Sequence, residues 1–299
     1  MPETPAATAP VPASAQARPK TIGVPQLLLR NRLGMVGLSI ILFWTLGGLL
    51  IGVLSPYGAA ETAVGPMLTP PSAEHLFGTD NFGRDVLTRV FAGAQLSLWI
   101  GLIAVAFSFV VGVPLGGVAG YVGGWLGSVI MRVMDVMLAF PSLILAMAVA
   151  ASLGPGVGSA MIAVGIVGIP EFARITYGQT VALKQREWVE AGRALGLTNS
   201  SILVRHIVPN TLAPLVVRMA LGMGYAILTA ASLSFIGLGA QPPTPEWGVM
   251  ISDGRGYIIS GEWWLTVFPG LAIATSILAF NLFGDALRDV LDPRLRTTA

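Results

Sequence analysis

The sequence contains no cysteine and very little charge. Without cysteine the chain can form no disulfide bridge, no thiolate metal site and no cysteine nucleophile. Asp, Glu, Lys and Arg make up 11% of the 299 residues, whereas a soluble domain of this size carries about a quarter. Hydrophobic residues make up 54%. The chain therefore has too little polar surface for water to cover, and most of its surface must face lipid.

Charge is absent altogether from five long blocks, which determine the predicted fold. Their bounds are 33–60, 91–131, 136–170, 219–245 and 263–284. A segment in lipid must satisfy its own backbone hydrogen bonds, so it forms a helix or part of a closed barrel. The blocks are uniformly apolar rather than alternating, which argues against a barrel. We predict an all-α polytopic membrane protein with a six-helix transmembrane domain over 34–290.

Six spans fit into the five blocks. A membrane core of about 30 Å takes about 20 residues of helix. The block 136–170 is divided at Gly154-Pro155-Gly156, and each half, together with its flanking residues, is long enough for one span. The other four spans are predicted at about 35–54, 95–117, 211–238 and 265–284. Six spans place both ends of the chain on one side of the membrane.

The placement of basic residues predicts which side that is. Four of them precede the first span, namely Arg18, Lys20, Arg30 and Arg32. By the positive-inside rule, residues 1–33 form a cytoplasmic tail, of which 1–20 has the composition of a disordered segment. Residues 291–299 then form a cytoplasmic tail, and 55–90 and 239–262 form outer loops. Fourteen of the seventeen Lys and Arg lie inside in this arrangement.

The sequence also indicates whether a signal peptide is present and how the last span is anchored. No apolar region of the kind found in a cleavable signal peptide stands near the start. Trp263 and Trp264 lie where an aromatic belt would anchor the last helix.

The charge-free blocks also limit the mechanism. A carrier coupled to protons or ions usually needs titratable groups inside the membrane. The five blocks contain none, which argues against ion coupling through buried carboxylates. Coupling through the backbone carbonyls of broken helices stays open.

The chain lacks the parts of an ATPase or of a hydrolytic enzyme. A P-loop needs Lys after Gly and before Ser or Thr, but the two lysines, Lys20 and Lys184, follow Pro19 and Leu183. Neither a zinc-protease helix motif nor a nucleophile elbow is present, and the two histidines are far apart in sequence. We predict no enzymatic activity, no catalytic, cofactor-binding or metal-binding residue, and no nucleic-acid partner. If the chain moves a solute uphill, the energy must then come from another protein.

One charged stretch stands between the apolar blocks and offers a place for such a protein. This polar segment, residues 178–209, carries a helical pattern at 186–195 with Glu187 and Glu190 near its start. Gly196 is placed to end that helix as a left-handed cap. Thr198 or Asn199 can cap a second short helix at 200–206, which Pro209 separates from the next span.

The polar segment has two interpretations. It is either an ordinary loop with a solvated charged face or a docking surface for a partner that supplies energy. Two capped helices, clustered small residues and a proline stop favour docking.

A second group of charged residues lies in the first outer loop. Asp80, Arg84 and Asp85 either receive a partner at the mouth of a pathway or form a knot of Asp–Arg pairs that caps the following helix. The second interpretation is slightly favoured. Further on, Arg132 and Asp135 are three residues apart, so they can pair on one helical face, in a structural role rather than one in transport.

Residues of the polar segment resemble a motif of a known protein family. Glu190-Ala191-Gly192-x3-Gly196, with Pro209 thirteen residues after that glycine, is similar to the EAA motif of ABC importer permeases. The resemblance extends to the C-type subunit of dipeptide or oligopeptide permease pairs. It rests on the runs Arg205 to Asn210, Phe77-Gly78-Thr79-Asp80-x2-Gly83-Arg84-Asp85, Gly120-Tyr121-x-Gly123-Gly124-Trp125, Asp135-x4-Phe140-Pro141, Leu233 to Gly239 and Pro245-Glu246-Trp247-Gly248.

The resemblance implies a function and a set of partners. It implies a permease subunit of the type I ABC importer fold in the bacterial inner membrane, taking up di- or oligopeptides. The implied partners are a second homologous permease, two ABC ATPase subunits that hold ATP and Mg²⁺, and an extracytoplasmic solute-binding protein. The residues implied to contact the ATPase are Glu187, Glu190, Ala191, Gly192, Ala194, Gly196, Leu197 and Pro209. Gly192 replaces the second alanine of the motif, and we expect docking to tolerate it.

Two alternatives stay open. The same kind of transporter could carry nickel, glutathione or another small solute, because specificity in this family usually rests with the binding protein. A channel or facilitator that needs no partner is the alternative from another class.

Overall fold

A computed structural model describes residues 24–291 of the chain; the predicted disordered tail at 1–20 and the C-terminal tail from 292 lie outside the described residues. The described part is helical, with one isolated β-bridge between Thr79 and Asp85. The α-helices are α1 (Val24–Arg30), α2 (Arg32–Leu54), α3 (Val86–Val122), α4 (Gly124–Ala139), α5 (Ser142–Leu153), α6 (Val157–Leu183), α7 (Glu187–Ala194), α8 (Asn199–Ser201), α9 (Val208–Asn210), α10 (Leu212–Ile236), α11 (Trp247–Gly254) and α12 (Trp264–Leu291). A π-helical stretch, Ile202–Ile207, joins α8 to α9, and a 3₁₀ turn, Arg255–Tyr257, follows α11.

Five of these helices are long and apolar enough to cross a membrane, and a bent pair brings the number to six if it counts as one span. The five are α2, α3, α6, α10 and α12, and the pair is α4 with α5. The break predicted at Gly154-Pro155-Gly156 is present between α5 and α6. The third span, however, is not one straight helix, because α4 and α5 meet at 98° across Phe140-Pro141. Pro141 has no backbone N–H for a helical hydrogen bond, which allows the chain to turn there.

The second span is much longer than predicted. We predicted a helix at 95–117, but α3 covers 37 residues, or about 55 Å at 1.5 Å per residue. Asp85 begins it by accepting a hydrogen bond from the Thr88 backbone N–H at 2.8 Å. Gly123 ends it with a φ of +68°, a conformation that glycine adopts without steric cost. The prediction was too short because it followed hydropathy, which does not register these two caps.

The fourth span also continues beyond its predicted end. We placed its end near Pro170, but α6 runs through this proline to Leu183. Glu171 and Arg174 therefore lie on a transmembrane helix, and only the part of the polar segment after Leu183 leaves the bundle.

The most extensive helix contact in the described structure is between α3 and α6, and glycine makes it possible. Gly112, Gly116 and Gly120 stand four residues apart on one face of α3. A methyl group at these glycines would lie 2.7, 2.1 and 2.9 Å from the carbonyl oxygens of Ile169, Ala173 and Tyr177 on α6. Lipid tails are as apolar as leucine, so membrane helices associate through close packing at such small residues. The two backbones pack directly against each other.

The two long loops meet at one end of the bundle. Within residues 55–85, the Asp80 carboxylate accepts hydrogen bonds from the Arg84 Nε at 2.5 Å and from the Arg84 and Phe82 backbone N–H groups. Arg84 also lies 3.7 Å from Asp253 of the second loop. Burial raises the pKa of Asp253, and the positive charge of Arg84 opposes that shift. The predicted knot of Asp–Arg pairs is therefore present, and it links the two loops.

The second long loop is not an irregular segment. It contains α11, whose backbone packs against α10: a methyl group at Gly248 would lie 2.1 Å from the Ala231 carbonyl oxygen. The Glu246 carboxylate begins α11 by accepting a hydrogen bond from the Val249 N–H at 3.0 Å. The indole N–H of Trp247 donates to the Val90 carbonyl at 2.8 Å. These contacts hold α11 in the bundle.

We expect Gly116→Ala to destabilise the bundle, because the new methyl group would meet the Ala173 backbone, which cannot rotate away. Overpacking costs about 1–3 kcal/mol in the free energy of unfolding. The matched control is Gly117→Ala, whose methyl group would lie 3.7 Å from its nearest neighbour. Thermal unfolding in detergent measures both. Equal melting temperatures for the two variants would contradict the assigned packing.

We expect Glu246→Gln to stabilise the protein at neutral pH. Glu246 is fully buried, and burial raises the pKa of its carboxyl. A raised pKa in the folded state means that the wild type loses stability as pH rises from the ordinary glutamate range through the raised pKa. Glutamine keeps the oxygen that accepts from Val249 and carries no charge. The gain in Tm should be at least about 2 °C at pH 7 and should vanish at acidic pH.

Glu246→Ala is the comparison for this substitution. It removes the charge together with the helix cap, whose loss costs about 1 kcal/mol. A glutamine variant that melts no higher than the alanine variant would contradict the role given to the carboxylate.

Candidate functional site

The polar segment is a folded unit at the end of the bundle opposite the two long loops. Val189 of α7 packs with Ile202 and Ile207 of the π-helical stretch, and all three are buried. Tyr121 of α3 and Leu183 of α6 complete this small core. The segment therefore has a defined shape, although its charged side chains face outward.

Gly196 ends α7 as predicted. Its φ is +84°, and its N–H donates to the Arg193 carbonyl at 3.0 Å. The Leu197 N–H reaches back to the Gly192 carbonyl at 3.0 Å, and a methyl group at Gly192 would lie 3.3 Å from the Leu197 side chain. Together these contacts form a Schellman motif. The motif fixes the direction in which the chain leaves α7.

The second half of the segment differs from the prediction. Thr198 caps α8 by accepting from the Ser201 N–H at 3.3 Å, as predicted, but the following turns are π-helical and continue into α9. Pro209 lies inside α9 rather than ending a helix. Pro209 has no N–H and so cannot donate an α-helical hydrogen bond. The preceding N–H, that of Val208, donates to the Leu203 carbonyl five residues back, as in a π-helix. Only Thr211 separates α9 from α10.

Side chains at the end of α3 attach the polar segment to the bundle. The Tyr121 hydroxyl donates to the Asn199 Oδ1 at 2.7 Å. The Arg193 guanidinium lies 5.8 Å from the centre of the Tyr121 ring. The Lys184 ammonium donates to the Gly120 carbonyl at 2.9 Å. A displacement of α7 would therefore act directly on the end of α3.

The predicted contact residues lie together on the outer face of this unit. Seven of the eight are exposed and Gly192 is half-buried. Glu187 and Glu190 stand in the first turn of α7, where the helix dipole favours negative charge. Their predicted contact with an ATPase stays a prediction.

Sequence reasoning missed the most prominent apolar side chain of this face. Leu195 is 85% exposed, beside the half-exposed Leu197 and Trp188. Three exposed apolar side chains around a charged helix favour a protein partner over a solvated loop. The pattern alone could not reveal them, because an apolar residue in an amphipathic helix is expected to face inward.

The three candidates of the first long loop are brought together, but they are buried. Asp80, Arg84 and Asp85 are each at most 7% exposed. Asp85 also lies 2.9 Å from the His75 Nδ1. Their burial favours the structural role over direct contact with a partner.

Asp135 does not take the partner that the spacing to Arg132 allows. Asp135 of α4 instead accepts a hydrogen bond from Arg174 of α6. A partner on another helix cannot be found from sequence spacing alone.

Comparisons with known proteins agree with this architecture. Residues 112–297 match the family model described as "Binding-protein-dependent transport system inner membrane component". The chain is 47% identical to the dipeptide transport system permease protein DppC of Alkalihalophilus pseudofirmus over 270 residues, which is 90% of this chain and 88% of that protein. It is also 47% identical to the glutathione transport system permease protein GsiD of Escherichia coli over 226 residues, covering 76% of this chain and 74% of that protein.

A solved structure has the same fold. A chain from an inward-facing structure of the MetNI methionine ABC transporter superposes with a TM-score of 0.55 at 17% sequence identity. The superposition covers 68% of this chain and 96% of that one. With its apolar helix bundle, its family match and its close relatives, the chain belongs to the family of binding-protein-dependent transport system inner membrane components, as a permease of the ABC importer class.

Proposed function

We propose that this chain is one of two permease subunits of an ATP-driven importer for di- or oligopeptides. In this proposal a second, homologous permease completes the pathway, two ABC ATPase subunits bind ATP and Mg²⁺, and an extracytoplasmic binding protein delivers the peptide. The chain lies in the bacterial inner membrane with both termini in the cytoplasm. The fourteen-to-three distribution of basic residues supports this orientation.

The shape of the polar segment is the observation that carries the proposal. It presents exposed Leu195 and small residues on a helix whose inner face has its own buried core. Such a unit can move as one body when an ATPase subunit moves against it. Force would reach α3 through Tyr121 and α10 through α9, because both contacts are short and direct.

The relatives support a peptide substrate. A dipeptide permease and a glutathione permease are equally similar to this chain. Glutathione is itself a tripeptide, so the two substrates share amide bonds and free terminal charges. Nickel or another small solute is the alternative within this transporter class, and a partner-free channel is the alternative outside it.

Reconstitution separates these functions. We expect proteoliposomes that contain this chain, the second permease and both ATPases to accumulate a labelled dipeptide when ATP and the binding protein are present. Omission of ATP or of the ATPases should abolish accumulation. Flux of solute through this chain alone would favour the channel, and ATP-driven uptake of Ni²⁺ without peptide uptake would contradict the peptide assignment.

We expect Leu195→Asp to uncouple the transporter. The side chain is 85% exposed, so the substitution leaves the fold intact but places a charge in an apolar contact. ATPase activity stimulated by the binding protein should fall at least about tenfold, since loss of a central apolar contact costs about 2 kcal/mol.

Leu195→Met is the control for this substitution, because methionine keeps an apolar side chain of similar size and should retain coupling. The melting temperature of the permease is measured for both variants. Full coupling in a correctly folded Leu195→Asp variant would rule out the proposed contact.

A further inference from the structure

The bend between α4 and α5 stands beside a cavity that the coupling mechanism does not use. Irregular backbone at membrane depth is tolerated only where it is buried in protein or lines a watery cavity. In transporters, broken helices of this kind commonly surround the solute site. Here the cavity has a volume of about 220 Å³, and residues on both sides of the break line it, including Met137, Phe140 and Ser142.

Two opposite charges face this cavity. Glu171 of α6 and Arg218 of α10 form an ion pair, and both line the cavity wall. Their side chains are 41% and 24% exposed, so solvent in the cavity reaches them. Tyr225 stands two turns from Arg218 on α10 and donates a hydrogen bond to Ser142 at the start of α5. The hydrogen bond ties α5, the second half of the broken helix, to α10, and the ion pair ties α10 to α6.

Arg218, but not Glu171, also lines a second cavity, of about 510 Å³. Asn210 and Arg288 lie in its wall, near the polar segment and the end of α12. The ion pair therefore stands at the boundary between a space beside the broken helix and a space that leads toward the polar segment.

An ion pair at such a boundary favours the passage of a solute that carries both a positive and a negative charge. Separation of Glu171 from Arg218 leaves two partly desolvated charges without partners, which is unfavourable. A free peptide carries an ammonium group and a carboxylate, so it can replace both partners at once. A neutral or singly charged solute can replace at most one.

We propose that Arg218 and Glu171 form a site for peptide termini in the translocation pathway. The Arg218 guanidinium binds the terminal carboxylate, for which its planar fork is suited, and the Glu171 carboxylate binds the terminal ammonium. The volume of 220 Å³ is below the ~300–1,000 Å³ of sites that enclose drug-sized ligands, which suits the main chain of a short peptide. The inference rests on the proposed peptide uptake and adds a second selection after the binding protein.

The test compares free dialanine with N-acetyl-dialanine and dialanine amide. Saturation-transfer NMR on the assembled transporter in nanodiscs, with the binding protein left out, measures their contact with the permease directly. ATP-driven uptake in proteoliposomes, with the binding protein at saturation, provides a second readout. The wild type should prefer free dialanine over either blocked form by at least about tenfold, because charge-assisted hydrogen bonds are about twice as strong as neutral ones.

Two variants, each with glutamine in place of one charged residue, should each lose the preference for one free terminus. Glu171→Gln should bring the preference for a free N-terminus within about twofold, and Arg218→Gln should do the same for a free C-terminus. Arg218→Lys keeps the charge but loses the planar fork, so it should keep more of the preference for a free C-terminus than Arg218→Gln does. Arg174→Gln is the control, because Arg174 also forms an ion pair between two helices, with Asp135, but does not line the cavity.

A structural role alone would change both preferences together or neither, and either result would overturn the proposal. So would an equal loss in Arg174→Gln. If the wild type accumulates no peptide at all, the proposed function fails and this inference falls with it. If uptake is normal while the variants keep both preferences, only the site is wrong.

Discussion

Direct backbone contact between α3 and α6 is the constraint on which the bundle depends. In lipid, apolar side chains gain little by meeting one another, so the close approach at Gly112, Gly116 and Gly120 takes over the role of a hydrophobic core. Several other elements attach to these two helices: α4 and α5 beside α6, the first long loop at one end of α3, and the polar segment at the other. Such an interface tolerates little variation in side-chain size.

Several charged residues are buried at one end of the bundle, and others are exposed at the other. At the loop end, Asp80, Arg84 and Asp85 are buried and partnered, and they fix the loops to each other. At the other end, the charges of α7 face outward around a buried apolar core. A membrane protein can bury charge cheaply only when the partners are pre-positioned. The buried charges at the loop end therefore stabilise the fold, whereas those of the polar segment stay on the surface.

The sequence predicted the class of fold and the cap at Gly196 well, because hydropathy and glycine chemistry are local. It failed where the outcome depends on neighbours. Pro114, Pro170 and Pro269 lie inside continuous helices, whereas Pro141 lies at a 98° bend. Nothing in the residue type distinguishes these four prolines. The partner of Asp135 and the exposure of Leu195 were likewise hidden, since both depend on packing between helices.

The length of α3 limits how the molecule can move. The helix is about 55 Å long, while the hydrocarbon layer is about 30 Å thick, so both of its ends project beyond the layer. Sliding along the membrane normal would drag one polar end into lipid, whereas tilting costs only fractions of a kcal/mol per Å of mismatch. A stiff rod that can tilt but not slide behaves as a seesaw. Inward movement of the end that carries Tyr121 then requires the Asp85 end to swing the opposite way.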